Sequence, residues 1–192
     1  MGKFKSSLTA MAVVVALGAC SEQKAPETTS TDVQNTATSQ QAQFDNVLLQ
    51  EFKGPYGGVP AFDKMNLEDL KPALEKAMEL NLKEIEAIAN NEAPPTFENV
   101  IVEMERAGAE LGRVLTYYGI WSSNKSSPEF REIQAEMSPK LSAFFTQITQ
   151  NEKLFERVKT VYESDELKSL TPEEQRITWM TYNSFARNGA TL

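Results

Sequence analysis

The sequence contains no histidine and a single cysteine, Cys20, among its 192 residues. Triads that pair Ser or Cys with His, zinc sites of the Cys/His type and Glu-x-x-His di-metal bundles all need an imidazole, so none of them can form here. One cysteine also excludes an internal disulfide, and the fold must depend on its hydrophobic core. Any chemistry in this chain must therefore run on carboxylates alone or lie elsewhere.

Basic side chains are outnumbered by acidic ones, with 19 Lys and Arg against 27 Asp and Glu and a formal net charge of -8. An acidic body repels nucleic acid, so no nucleic-acid partner is expected. Four glutamates lie close together on one predicted helix: Glu98, Glu103, Glu105 and Glu110. Nothing in their spacing isolates two of them in an apolar setting. They are therefore interpreted as a solvated helix face and not as the carboxylate pair of a glycosidase.

The first residues have the layout of an export signal. Two lysines precede an apolar run from Leu8 to Leu17, which is too short to cross a bilayer as a helix. The run ends in Leu17-Gly18-Ala19-Cys20, which resembles the lipobox of bacterial lipoproteins. The resemblance implies that residues 1–19 are a signal peptide, that Cys20 is acylated, and that the protein is exported and attached to a bacterial membrane. The alternatives are an ordinary secretory signal with an incidental cysteine and a buried N-terminal helix.

The residue after the cysteine is Ser21 and not an Asp. In bacterial lipoproteins this favours transfer to the outer membrane. We therefore expect the protein to be attached there and to face the periplasm. Residues 20–43 are rich in Ser, Thr and Gln and cannot bury enough apolar surface to offset the entropy of ordering, so they are expected to form a disordered tether. Residues 44–192 are the folded part, with the length of one domain. It opens with an irregular Gly/Pro arm, Phe52 to Asp63, which its aromatic side chains are expected to pin.

Beyond the arm, apolar residues recur at spacings of three and four, which is typical of amphipathic α-helices. Five helices are predicted, and a capping residue precedes each of them: Asn66, Thr96, Ser127, Asn151 and Thr171. The Pro94-Pro95 pair is expected to end the first helix, and Pro139 is expected to kink or divide the third. No alternating pattern indicates a strand, so the predicted fold class is all-α.

Tyr117, Tyr118 and Trp121 form an aromatic cluster near the end of the second predicted helix. Aromatic residues at helical spacing belong mostly to cores. Consecutive residues of a helix point about 100° apart, however, so one of the two tyrosine rings can face outward. Tyr117 and Tyr118 are therefore candidate substrate-facing residues.

Several short segments of the folded part follow one another in a specific order and spacing. They are Gly54-Pro55-Tyr56-Gly57-Gly58-Val59-Pro60-Ala61-Phe62-Asp63-Lys64, Leu70-Lys71-Pro72-Ala73-Leu74, Pro95-Thr96-Phe97-Glu98-Asn99, Met137-Ser138-Pro139-Lys140-Leu141, Asn151-Glu152-Lys153-Leu154-Phe155 and Phe185-Ala186-Arg187-Asn188-Gly189-Ala190-Thr191-Leu192. Together they resemble the N-terminal region of bacterial peptidyl-dipeptidases, which belong with oligopeptidase A, thimet oligopeptidase and neurolysin among zinc metallopeptidases.

The resemblance implies a mostly helical shell of two halves around a deep channel that admits short peptides. It also implies Zn²⁺, held by two histidines of an H-E-x-x-H helix and by a downstream glutamate. This chain has no histidine, so neither a zinc ligand nor a catalytic residue of the family carries over to it. What carries over is a role for its helices as part of the channel wall.

We therefore expect residues 44–192 to be the truncated N-terminal helical portion of a zinc metallopeptidase that releases C-terminal dipeptides from short peptides. Its partners would be those peptides, the membrane that holds the lipid anchor, and the missing C-terminal catalytic part. The chain alone is expected to be inactive. The alternative is a stand-alone helical lipoprotein that binds peptides or a partner protein without cleaving anything.

Replacing the cysteine tests the lipid anchor. Mass spectrometry of the wild-type protein should find a chain that begins at an acylated Cys20, since the signal is cut before the cysteine. Cys20→Ser should move the protein from the membrane fraction to the soluble one, whereas Ser30→Ala in the same tether should leave it on the membrane. An unmodified Cys20 in membrane fractions would contradict the anchor.

Overall fold

The computed structural model describes residues 46–55 and 58–189. The predicted signal peptide, Cys20 and the tether lie outside these residues, as does Tyr56 of the arm. Among the described residues, no helix is long and apolar enough to cross a membrane.

The described part of the chain is mostly helical. Its α-helices are α1 (Leu70–Ala89), α2 (Glu103–Arg106), α3 (Ala109–Asn124), α4 (Pro128–Thr149), α5 (Glu152–Glu163) and α6 (Pro172–Arg187). Shorter turns complete it: 3-10 turns at Val47–Leu49, Leu67–Asp69 and Glu166–Ser169, and a π-helical segment at Phe97–Val102. These residues contain no strand, and one isolated antiparallel bridge joins Lys53 to Val59. The predicted all-α class with five long helices is confirmed.

Helix beginnings follow the predicted caps in four of the five cases. Thr96 and Thr171 each form a capping box, with Asn99 and Glu174 as reciprocal partners. Ser127 accepts a hydrogen bond from Phe130 N–H, and Asn151 accepts one from Leu154 N–H, at 3.2 and 2.9 Å. These side chains satisfy backbone donors that the first helical turn leaves free.

The first helix departs from the prediction at both ends. Asn66 makes no side-chain capping bond, and the helix opens instead with the 3-10 turn Leu67–Asp69. It ends at Ala89, before the Pro94-Pro95 pair that was expected to stop it. Asn90 is the C-cap, and its backbone N–H and side-chain amide both donate to Glu86 O, at 3.0 and 2.8 Å, while the N–H of Asn91 donates to Ile88 O three residues back.

Pro139 does not divide α4, which is continuous from Pro128 to Thr149. A proline inside a helix removes one backbone hydrogen bond. Pro139 is on the exposed side of α4, where water can reach the freed carbonyl, and the preceding Ser138 Oγ donates to Gln134 O at 2.7 Å. Of the two expected effects of Pro139, division of the helix was therefore wrong, and a kink stays a prediction.

The second predicted helix is divided at Ala107 and Gly108. Ala107 is extended, and Gly108 has a φ of 78°, in the left-handed region that favours glycine. The N–H of Gly108 donates to Glu84 Oε2 on α1 at 2.7 Å. A Cβ at Gly108 would lie 3.0 Å from the side chain of Asn81. The close approach of this backbone to α1 therefore requires glycine, and α3 begins at the next residue.

Two hydrophobic cores share α1. The first contains its N-terminal half, together with α3, α4 and Leu48, and the second contains its C-terminal end, together with α5, α6 and the π-helical segment. Fully buried members of the first include Leu48, Leu70, Leu74, Val114, Phe130 and Met137, and those of the second include Val100, Leu154, Val158 and Val161. Ile148, near the end of α4, packs against both cores.

Glycine-to-alanine substitutions test the break between α2 and α3. Gly108→Ala should destabilise the fold by about 1 to 3 kcal/mol, because alanine must adopt a left-handed conformation. Gly119→Ala, with nothing within 4 Å of the added methyl group on α3, is the matched control. It should stabilise by up to about 1 kcal/mol, since alanine is the better helix former. Urea denaturation measures both, and equal effects of the two substitutions would contradict the account.

Candidate functional site

Tyr117 fastens the Gly/Pro arm to α3. Its hydroxyl accepts a hydrogen bond from Ala61 N–H at 2.7 Å, and Phe52 packs edge-on against its ring at a centroid distance of 5.8 Å. The side chain is 1% exposed. Phe62 of the arm, by contrast, is 55% exposed, so the arm is pinned by Phe52 and Tyr117 and not by all its aromatic residues.

Tyr118 points elsewhere and is half-buried. Its ring packs at a tilt against Phe130 of α4, with centroids 5.4 Å apart. The two consecutive tyrosines thus have different surroundings, as the helical spacing predicts. The substrate-facing role of Tyr117 and Tyr118 stays a prediction, and a buried Tyr117 would reach a substrate only if the arm moved.

A cavity of about 490 Å³ lies between α1 and the π-helical segment. Its polar lining includes Glu84, Glu98, Glu103 and Arg106. Arg106 donates to Glu103 at 2.7 Å and to Glu98 at 3.4 Å. The hydrogen bond to Glu103 is the main reason that the pKa of Arg106 is raised. All three side chains are exposed in these pairs, which agrees with a solvated helix face.

Arg157 of α5 is a buried cation that the sequence analysis missed. The residue is 8% exposed, and burial lowers its pKa. Its Nη1 donates to the carbonyl oxygens of Asn91 and Ala93 at 2.6 and 3.0 Å, and its Nη2 donates to Asn99 Oδ1 at 3.1 Å. Arg157 therefore holds the Pro-rich connection between α1 and the π-helical segment in place.

A signal for this residue was present in the sequence. Arg157 follows Leu154 by three positions and precedes Val161 by four, so it lies within the apolar stripe of α5. A charged side chain in such a stripe indicates a buried polar partner.

The residues present do not fit a zinc site. In residues 46–55 and 58–189, no group of three or more His, Cys, Asp or Glu side chains could hold a metal ion. The whole sequence lacks the histidines that the resemblance assigns to zinc. No reaction step can therefore be derived from this part of the chain.

A groove of about 580 Å³ runs between the C-terminal end of α4 and α6. Apolar side chains dominate its lining: Met104, Ile148, Ile177, Met180 and Phe185. Met180 at its edge is 51% exposed, and Phe145, one turn before Thr149 of the groove, is 47% exposed. Trp179 is also exposed, at 45%, whereas Tyr182 of the same helix stacks on Tyr162 at 4.3 Å.

Comparisons with known proteins agree with this all-α domain. The family description "Neurolysin/Thimet oligopeptidase, N-terminal domain" matches residues 70–192. A dipeptidyl carboxypeptidase of Salmonella typhimurium is 30% identical over 147 residues, which cover 77% of this chain and 22% of the relative. Oligopeptidase A of Escherichia coli is 27% identical over 147 residues, which cover 77% of this chain and 21% of the relative.

These features define a helical N-terminal domain of a peptidase. The chain belongs to the neurolysin/thimet oligopeptidase family, and its matched part is the N-terminal domain of that family. It spans about a fifth of the length of the curated relatives that it matches.

Two hydroxyl deletions separate the roles of the tyrosines. Tyr117→Phe leaves the N–H of Ala61 without its partner and should destabilise the fold by about 1 to 2 kcal/mol. Tyr118→Phe keeps the packing on Phe130 and should change stability by less than about 0.5 kcal/mol. Thermal or urea denaturation gives both values. A larger loss for Tyr118→Phe than for Tyr117→Phe would contradict the structural role of Tyr117.

Proposed function

We propose that this chain is the N-terminal portion of a zinc metallopeptidase that hydrolyses short oligopeptides. The match of 147 residues to proteins named dipeptidyl carboxypeptidase and oligopeptidase A supports this most strongly. The dipeptidyl carboxypeptidase name also favours release of dipeptides from the C-termini of peptides as the activity of the intact protein.

In this proposal, the present residues act as scaffold. Helices α1 and α4, of 20 and 22 residues, are about 30 Å long and supply straight, rigid pieces of a channel wall. Such a wall would admit extended peptides and exclude folded proteins. Zinc and the groups that activate water would come from the C-terminal catalytic part, because this chain has no histidine.

The N-terminal sequence adds a cellular location to the proposal. A signal peptide and an acylated Cys20 would attach the enzyme to a bacterial membrane, and Ser21 favours the outer membrane. A tether of the length of residues 20–43 would let the peptidase reach short peptides in the periplasm.

A stand-alone, non-catalytic lipoprotein that binds peptides or a partner is the second candidate. The two closed cores around α1 favour it, because they give the domain a buried interior of its own. A thermal melt distinguishes the candidates. A stand-alone protein should unfold cooperatively as a soluble monomer, whereas a detached portion should aggregate through its exposed apolar surface.

A chimera tests the peptidase proposal directly. In the chimera, the part of this chain that matches the E. coli dipeptidyl carboxypeptidase over 147 residues replaces the corresponding segment of that enzyme. The chimera should release C-terminal dipeptides from a decapeptide and leave a folded protein intact, whereas the 192-residue chain alone should release none. A chimera that folds and binds zinc but releases no dipeptide would contradict the proposal, as would zinc-dependent release by the 192-residue chain alone.

A further inference from the structure

We propose that the groove between α4 and α6 is the docking surface for the C-terminal catalytic part of the same peptidase, which enters it with an apolar helix. The inference rests on the proposed function and adds the place where the two parts of the enzyme meet.

The groove has the form that an added helix needs. On α6, its lining residues Ile177, Met180, Thr181 and Ser184 follow one another at positions i, i+3, i+4 and i+7. On α4, Ile148 and Thr149 line it, one helical turn after the exposed Phe145. Side chains at these spacings form one stripe along α6, and the end of α4 together with Met104 of α2 borders it, so the groove can receive the apolar face of a further helix. The small Thr181 and Ser184 allow its backbone to approach closely.

Within the described residues, helix α6 packs against other helices along one face only. Its fully buried residues are Thr178 and Phe185, and it packs mainly against α5 and the π-helical segment. Met180 and Trp179 are left about half exposed. A large apolar surface at the edge of a groove, surrounded by polar side chains, is typical of an interaction site.

The charges at the rim are also without partners in the described structure. Glu105, Glu173 and Arg176 line the groove, are exposed, and take part in none of the ion pairs formed within residues 46–55 and 58–189. A docking helix with basic residues on the side of the two glutamates and an acidic one beside Arg176 would be complementary. Such charges fix orientation more than they add affinity.

The length of the relatives supports the C-terminal catalytic part as the occupant of the groove. The segment matched here is 22% and 21% of the two dipeptidyl carboxypeptidases, so nearly four-fifths of each relative lies outside it. That remainder has to pack on this domain somewhere, and the groove, with the half-exposed Met180 at its edge, is an apolar surface that it can cover. A second copy of this chain and a free apolar peptide are the other occupants, and the experiment below excludes or detects them.

Thiol accessibility in two contexts tests the surface. Met180→Cys and, separately, Ser184→Cys are made in the 192-residue chain and in the chimera with the E. coli enzyme, and alkylation by a maleimide is followed by peptide mass mapping. In the chain alone both thiols should react at the rate of an exposed cysteine. In the chimera they should react about tenfold more slowly or less, because reaction then requires local opening. Lys125→Cys, in the exposed turn between α3 and α4, is the control and should react equally in both.

The labelling experiment tests the docking surface independently of the peptidase activity. Equal reactivity of the groove thiols in both contexts overturns the docking surface even when the chimera releases dipeptides. Protection in the chimera supports it even when the chimera is inactive, in which case only the peptidase proposal fails. Protection in the chain alone that accompanies a discrete dimer, and not an aggregate, shows a second copy in the groove and also overturns the proposal.

Discussion

The domain depends on one helix that serves two cores. The first half of α1 packs in one core through Leu70 and Leu74, and its end packs in the other through Ile85 and Ile88. Between these halves lie Asn81 and Glu84, and the side chain of Glu84 accepts the N–H of Gly108. The backbone can take a φ of 78° and lie close to Asn81 at this point because Gly108 has no side chain. A shift of α1 would therefore disturb both cores and the break between α2 and α3 together.

The sequence predicted the helices well because their signals are local. Thr96, Ser127, Asn151 and Thr171 each satisfy a backbone donor within three residues, and the apolar periodicity needs no knowledge of the partner helix. The break at Gly108 was missed for the opposite reason. Gly108 fits the apolar face of a continuous helix, and the groups that force it out, Asn81 and Glu84, are more than twenty residues earlier in the chain.

The candidate site was less predictable than the fold. Sequence alone identified Tyr117 and Tyr118 as a pair but did not reveal that the first binds the arm and the second faces α4. It overlooked Arg157, whose partners come from a connection far away in sequence. The absence of histidine, by contrast, can be read directly from the sequence, and it excludes a zinc ion bound by histidines of this chain. The family match and this missing chemistry support our proposal that the domain shapes a catalytic centre located elsewhere.

The size and metal content of the protein in its cell test this account most directly. An antiserum raised against the folded domain can detect the polypeptide in membrane fractions, and the same antiserum can isolate it for metal analysis. The account predicts a polypeptide several times longer than 192 residues, in line with the relatives, which carries bound zinc. A single species of the length of this chain, without zinc, would contradict it.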